Sequence, residues 1–150
     1  MLATNSPMKK STFQDQPRTY GFPPLLCEEP RILLLRTLPG GESLEHQQYY
    51  DSNSNRRWKV LCYLTGEPMP ADYTQKKAIL AKYHIVLWDY NESAIRPNSG
   101  NDKEIRDARP NDIAGFLTGH PTFNLIGING FGKYPDFGRY VNSFHDVIVV

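Results

Sequence analysis

The sequence predicts an α/β fold built on a small, mostly parallel four-stranded sheet. Four short apolar runs, "RILLLRTL", "IVLWDY", "FNLIGIN" and "DVIVV", have the length and composition of strands that are covered on both faces. Helical patterns, rather than tight hairpin turns, separate the first three runs. Strands that alternate with helices favour right-handed crossover connections, and these connections favour a parallel sheet.

The first half of the chain contains two of these strands, at residues 31–38 and 85–90. Three helices are predicted between them, over residues 40–50, 56–66 and 71–84. Gly66 is placed to stop the second helix, because glycine readily adopts the left-handed conformation of a helix end. Asp72 lies near the start of the amphipathic third helix, where a carboxylate can cap free backbone N–H groups.

The second half begins with a stretch that is predicted to be a long polar loop, residues 91–104. "RPNDIAGFLTGHP" then predicts a short helix with Asn111 or Asp112 near its start and Gly119 beyond its end. The third strand is predicted at residues 123–129. "YPDFGRYVNSF" is predicted to be helical at its end, and "DVIVV" is the fourth strand, within which the given sequence ends.

Composition indicates one ordinary globular domain. The 150 residues are 39% hydrophobic and 22% charged, and the net charge of +1 excludes strong nucleic-acid steering by bulk charge. Residues 1–20 are polar and predict a flexible N-terminal arm, which leaves residues 21–150 as the domain. No apolar run is long enough to span a bilayer, and Cys27 and Cys62 are expected to be reduced.

In open parallel sheets, ligands bind beyond the carboxyl ends of the strands. That rule selects four places in this chain: the loop after Leu38, the stretch from Asp89, the turn after Asn129, and whatever follows Val150. Aromatic, amide and cationic residues are concentrated in the first of these places, within "LPGGESLEHQQYYDSNSNRRW". A ligand site at this edge is therefore the prediction.

These same segments resemble one known family. "LPGGESLEHQQYY" with Asn55 and Trp58 at fixed spacing, then "LWD", "PND" and "NG", are similar to the hypoxanthine-DNA (deoxyinosine) glycosylase branch of the uracil-DNA glycosylase superfamily. The likeness runs from "GFPP" to the last residue. Its first block is fairly specific, whereas "LWD" and "NG" alone would be weak signals.

The resemblance implies a parallel sheet sandwiched by helices and a monofunctional enzyme of base excision repair. The expected reaction is hydrolysis of the N-glycosidic bond of a deaminated base, hypoxanthine or uracil, in DNA. Such an enzyme is expected to need no cofactor and no metal, and to work as a monomer on DNA. It is expected in the cytoplasm or nucleus, with no membrane partner.

The resemblance also implies roles for individual residues. Asn55 takes the position of the catalytic asparagine, and the site is expected to read the base with Asn129, Tyr50, Leu38, Pro39, Gly40 and Asp89. Tyr49 is an alternative to Tyr50 for stacking on the base. DNA phosphates are expected to contact Arg56, Arg57 and Lys59.

Two departures from the family bear on this assignment. The family has a small residue, usually glycine, at the position of Arg36, and its fourth strand leads into a serine- and proline-rich loop that the given sequence does not contain. The alternative is therefore a truncated or degenerate glycosylase-like domain that binds DNA or a nucleotide without catalysis. A third hypothesis is an unrelated α/β domain that binds a nucleotide or phosphate at "PGGES". Without the resemblance, Asn55 and Asn129 would be ordinary turn residues.

Overall fold

The computed structural model describes residues 17–49, 57–96, 105–128 and 146–149, without the side chains of residues 41–43 and 146–149. Within these residues there are seven strands and four helices. The strands are β1 (Thr19–Tyr20), β2 (Ile32–Arg36), β3 (Ile85–Asp89), β4 (Asn91–Ile95), β5 (Arg106–Pro110), β6 (Leu125–Ile128) and β7 (Asp146–Val149). The helices are α1 (Gly41–His46), α2 (Arg57–Thr65), α3 (Tyr73–Lys82) and α4 (Ile113–Gly119).

The central sheet has the strand order β3-β2-β6-β7, and each of its pairings is parallel. The register places Leu34 opposite Leu87 on one side and opposite Gly127 on the other. Each of the four strands lies at one of the four apolar runs of the sequence. The predicted four-stranded parallel sheet is confirmed.

Helices cover the sheet from both sides because side chains alternate along each strand. On one side, which we call the α4 face, buried residues form a cluster with α4: Leu33, Leu35, Val86, Ile113, Leu117, Phe123, Ile126 and Ile128. On the other side, which we call the α2/α3 face, the sheet packs on α2 and α3. The cluster there joins side chains of the sheet and of both helices: Ile32, Leu34, Trp58, Leu61, Leu80, Ile85 and Leu87. Burial of each such side chain stabilises the fold by about 1.5–3 kcal/mol.

Three helix ends follow the signals in the sequence, whereas Gly119, which was predicted beyond the end of its helix, is the last residue of α4. Asp72 caps α3 by accepting a hydrogen bond from the Gln75 N–H at 2.8 Å. At α4 the capping residue is Asp112, which accepts from the Gly115 N–H at 3.0 Å, and this settles the choice between Asn111 and Asp112. Gly66 follows α2 with φ +76°, a conformation that favours glycine.

A second sheet was not predicted from the sequence. The prediction of a polar loop over residues 91–104 is wrong for Asn91–Ile95, which form β4 and pair antiparallel with β1 and β5. Its sequence "NESAI" has low intrinsic preference for strand, and β5 is exposed along its whole length. Tertiary pairing, rather than local propensity, makes these segments strands.

None of the helices in the described ranges has the length and apolar composition needed to cross a bilayer. Cys27 is half-buried and Cys62 is buried, and both are free thiols.

Candidate functional site

The carboxyl ends of the parallel strands meet at one edge of the central sheet. β2 ends at Arg36 and β3 ends at Asp89, and these two residues are direct partners across the strand pair. β6 ends at Ile128 beside Leu35. The loop from Thr37 to Gly40 leaves the same edge, so the sheet brings the predicted site segments of the described chain together.

Arg36 and Asp89 form a buried ion pair at this edge. The guanidinium Nε and Nη2 donate hydrogen bonds to the two carboxylate oxygens, the second at 3.4 Å. The side chains are only 5% and 0% exposed to solvent, so water screens their attraction very little. By strand alternation, both side chains lie on the α2/α3 face.

Two aromatic rings form a corner around the Arg36 guanidinium. Its central carbon lies 4.3 Å from the centre of the Tyr49 ring and 4.8 Å from the centre of the Phe22 ring. The rings meet edge to face, with their centres 5.3 Å apart. Both distances to the cation fall within the range of cation–π attraction. We call this group of Phe22, Tyr49 and Asp89 the aromatic corner.

Two hydrogen bonds hold Tyr49 in the aromatic corner. The Tyr49 hydroxyl donates to the Pro23 carbonyl at 2.8 Å, and the Tyr49 N–H donates to the Tyr73 hydroxyl at 3.3 Å. Tyr73 is the first residue of α3. The ring therefore has a defined orientation before any ligand arrives.

Asp89 is fixed from two further directions. The Phe22 N–H donates to its carboxylate at 2.7 Å, and the Asn111 side-chain amide donates to its backbone carbonyl at 2.8 Å. A Cβ at Gly21 would lie 2.6 Å from the Asn91 carbonyl and 3.0 Å from the Asp89 carboxylate, so only glycine allows this close approach. The end of β3 is thus held by residues of the "GF" and "PND" segments, namely Gly21, Phe22 and Asn111.

Burial raises the pKa of Asp89 above the usual value of a carboxyl group, because loss of water disfavours the charged form. The hydrogen bond and charge of Arg36, the Phe22 N–H and the charge of Arg96 act in the opposite direction and are weaker than desolvation. A buried carboxylate of this kind can accept a hydrogen bond from a ring N–H of a nucleobase.

The loop after β2 is held by β4. The Asn91 side chain donates to the Thr37 carbonyl at 3.3 Å, and the Arg96 guanidinium donates to the Pro39 carbonyl at 2.7 Å. Leu38 and Pro39 are buried, whereas Gly40 is exposed. A Cβ at Gly40 would meet no atom within 4 Å, so this backbone is open to an approaching group.

A separate cavity of about 290 Å³ lies between α2 and the sheet. Its walls include Trp58, Leu61 and Leu64 of α2 and Leu34, Leu87 and Gly127 of the sheet. The described lining is apolar apart from Arg57 at the start of α2. A base-reading site needs convergent polar groups. The aromatic corner offers them, whereas among the described residues the cavity wall holds one polar side chain, Arg57.

Two known proteins are similar to this chain in sequence. A protein named hypoxanthine DNA glycosylase from Methanosarcina acetivorans is 36% identical over 111 residues, which is 73% of this chain and 70% of that protein. One of the same name from Methanosarcina barkeri is 32% identical over the same shares. The chain belongs to the hypoxanthine DNA glycosylase family.

A solved structure resembles this chain in fold. A solution NMR structure from Methanosarcina acetivorans, which carries the name of a uracil DNA glycosylase, has a TM-score of 0.76 and 32% identity, and the match covers 89% of this chain and 83% of that chain. No protein-family model matches the chain. The family and the fold class that the sequence predicted are therefore confirmed.

Only some of the predicted site residues of this glycosylase-family chain lie in the described ranges. Asp89 is at the centre of the aromatic corner, and Leu38, Pro39 and Gly40 form the loop beside it. Lys59 is exposed on α2, and the half-buried Arg57 begins that helix. Four predictions lie outside the described residues: Tyr50, Asn55, Arg56 and Asn129.

Sequence analysis missed Phe22, which supplies one ring of the aromatic corner and an N–H to Asp89. Its position in "GFPP", where the family resemblance begins, is the signal that could have identified it. In the part of the chain that the structure describes, no group of three or more His, Cys, Asp or Glu residues is arranged to hold a metal ion.

Proposed function

We propose that this chain is a monofunctional DNA glycosylase that hydrolyses the N-glycosidic bond of a deaminated base, hypoxanthine or uracil, in DNA. The observation that carries the proposal is that the carboxyl ends of the strands meet beside a buried carboxylate and two aromatic rings, in a member of this family. The two Methanosarcina relatives carry names for the same activity.

The mechanism that we propose starts with extrusion of the base. Leaving the stack costs a few kcal/mol and is easiest at a mismatch, which favours a deaminated base over a paired one. Exposed Lys59, together with Arg56 and Arg57, would hold the flanking phosphates. The exposed Gly40 backbone would allow a sugar or phosphate to come close.

Bond cleavage would rely on amides and electrostatics. Asn55 would orient the attacking water, and Asn129, the next residue in the chain after β6, would read the base edge as donor and acceptor. An amide cannot remove a proton as a carboxylate does. Stabilisation of the charge that develops on the leaving base would therefore supply most of the rate enhancement.

The test is a base-release assay on duplexes that contain one inosine or one uracil, with alkali to cleave the resulting abasic sites. We expect Asn55→Ala to lower single-turnover release by a factor of about 10²–10³, in line with the loss of one transition-state hydrogen bond. The matched control is Asn124→Ala, because Asn124 is exposed and precedes β6 at the opposite end of that strand. Equal activity of wild type and Asn55→Ala would contradict the role of Asn55.

The second candidate is a domain that binds DNA without cleaving it. The observation that favours it is that Arg36 fills the aromatic corner, at a position where the resemblance to the family implies a small residue. Binding that weakens steeply with salt, with no release of base from either duplex, would support this candidate. A monomeric state and a cytoplasmic or nuclear location remain predictions, which gel filtration and fractionation would test.

A further inference from the structure

The aromatic corner has the features of a binding pocket for a planar, N–H-bearing group. It offers two ring surfaces and a carboxylate that is completely buried. A planar, N–H-bearing group is already there, since the Arg36 guanidinium lies within 5 Å of both ring centres and donates to both Asp89 oxygens.

We propose that Arg36 is a built-in occupant of the base pocket, and that an extruded purine or pyrimidine must displace its guanidinium to bind. This inference rests on the proposed function, because it names where the base of the glycosylase reaction binds. The pocket is closed by the Arg36 side chain when no base is bound.

The chemistry of the guanidinium supports this interpretation. Guanidinium is flat, stacks on aromatic rings, and presents adjacent N–H donors that match a carboxylate. A lactam base such as hypoxanthine or uracil is also flat and stacks, and its ring N–H can donate to a carboxylate. The guanidinium therefore uses the same three surfaces that a flipped base would use.

Backbone hydrogen bonds hold residues 36 and 37 in place independently of the Arg36 side chain. The Arg36 carbonyl accepts from the Tyr90 N–H at 2.7 Å, and the neighbouring Thr37 carbonyl accepts from both the backbone and the side chain of Asn91. Parallel pairing with Asp89 also holds the residue. Removal of the side chain should consequently open a space rather than collapse the edge.

The experiment compares wild type with Arg36→Gly and with the double variant Arg36→Gly/Asp89→Asn. The double variant carries no unpaired buried charge, so we expect it to fold even if the single variant does not. The amide that replaces the carboxylate can both donate to and accept from a lactam edge. Arg18→Gly is the matched control, because Arg18 also pairs with an aspartate but lies outside the corner. Circular dichroism checks that each variant is folded.

The first readout is binding of free hypoxanthine and free uracil, measured by ligand-observed NMR and calorimetry. Stacking and edge hydrogen bonds should make the double variant bind at least about ten-fold more tightly than wild type or Arg18→Gly. Methylguanidinium, which reproduces the missing head group, should compete with the base in Arg36→Gly, which keeps the Asp89 carboxylate. Equal base affinity in wild type and the double variant, or no competition by methylguanidinium in folded Arg36→Gly, would overturn the proposal.

The second readout is base release from inosine-containing DNA, and it separates this inference from the proposed function. Tighter base binding without release by any protein would support the closed pocket and reject the glycosylase activity. The opposite outcome is also possible: wild type releases the base, and removal of Arg36 lowers this release without raising base affinity. That result would retain the glycosylase activity and overturn the role of Arg36 as an occupant.

Discussion

Two arginine–aspartate pairs in this molecule differ mainly in their access to water. Arg36 and Asp89, at the edge of the central sheet, have side chains that are 5% and 0% exposed, whereas those of Arg18 and Asp107, beside the second sheet, are 14% and 45% exposed. The exposed pair has a good contact, with a nitrogen to oxygen distance of 2.7 Å. Exposed pairs nevertheless contribute only about 0–1 kcal/mol to stability, because solvent screens them.

The burial of the Arg36–Asp89 pair calls for a functional explanation. Burial of two charges costs more than their attraction returns in many proteins, and apolar residues of similar size are often at least as stabilising. Stability alone therefore does not account for Arg36 at the end of β2. The proposed role of Arg36 as an occupant of the base pocket would account for it, and the energies of the two pairs should differ accordingly.

The largest effect is expected for Asp89→Ala. This change leaves the Arg36 charge buried without its carboxylate partner and removes the acceptor of the Phe22 N–H. Loss of one member of a buried pair costs about 3–5 kcal/mol of unfolding free energy. Urea unfolding measures this loss. A loss below about 1 kcal/mol would mean that the buried pair contributes no more to the unfolding free energy than an exposed pair does.

A smaller effect is expected for the double change Arg36→Met/Asp89→Asn. Methionine can fill the corner between Phe22 and Tyr49, and the oxygen of the new amide can still accept from the Phe22 N–H. Without a buried charge, the loss should be only about 1 kcal/mol, clearly less than for Asp89→Ala. A double-variant cycle gives the coupling energy; additive losses would show that the two side chains act independently.

The buried pair should make the stability of the protein depend on pH. The pKa of Asp89 is raised in the folded protein, so the folded state holds this proton more tightly than the unfolded state does. Its contribution to stability is therefore present at acid pH and declines as the pH rises from about 4 through the raised pKa. Unfolding free energies of wild type minus Asp89→Asn should decrease over that range, and an increase would reverse the assigned cause.

The smallest effect is expected for Asp107→Ala. Asp107 is nearly half exposed, and water can solvate Arg18 when its partner is removed. The expected loss is below about 1 kcal/mol and should shrink further in high salt. A loss as large as that of Asp89→Ala would mean that solvent access does not decide the energy of these pairs.

The central sheet could be predicted from sequence because its strands are apolar runs of the right length, and the "PGG" segment after β2 marked the edge that collects the site. Asp72 and Gly66 likewise have local signals that fix helix ends. β4 and β5 could not be predicted, since "NESAI" and "RDARP" become strands only by pairing with each other and with Thr19–Tyr20.

The aromatic corner was only partly predictable. Asp89 and Tyr49 follow from the family motifs, whereas Phe22 reaches the site through a close contact at Gly21 that no periodic pattern reveals. Arg36 stood out as a departure from the family, but the sequence did not indicate that it would pair with Asp89. The pairing of Arg36 with Asp89 depends on the parallel register of two strands that are 53 residues apart.

The most direct test of this account is to locate a base bound to Arg36→Gly/Asp89→Asn by nuclear Overhauser contacts from the ring protons of hypoxanthine. We predict contacts to the rings of Phe22 and Tyr49 in the double variant and none of these in wild type, where the guanidinium holds the place. Contacts to Trp58 and Leu64 in the apolar cavity, with none to Phe22 or Tyr49, would contradict the assignment of the base pocket to the aromatic corner.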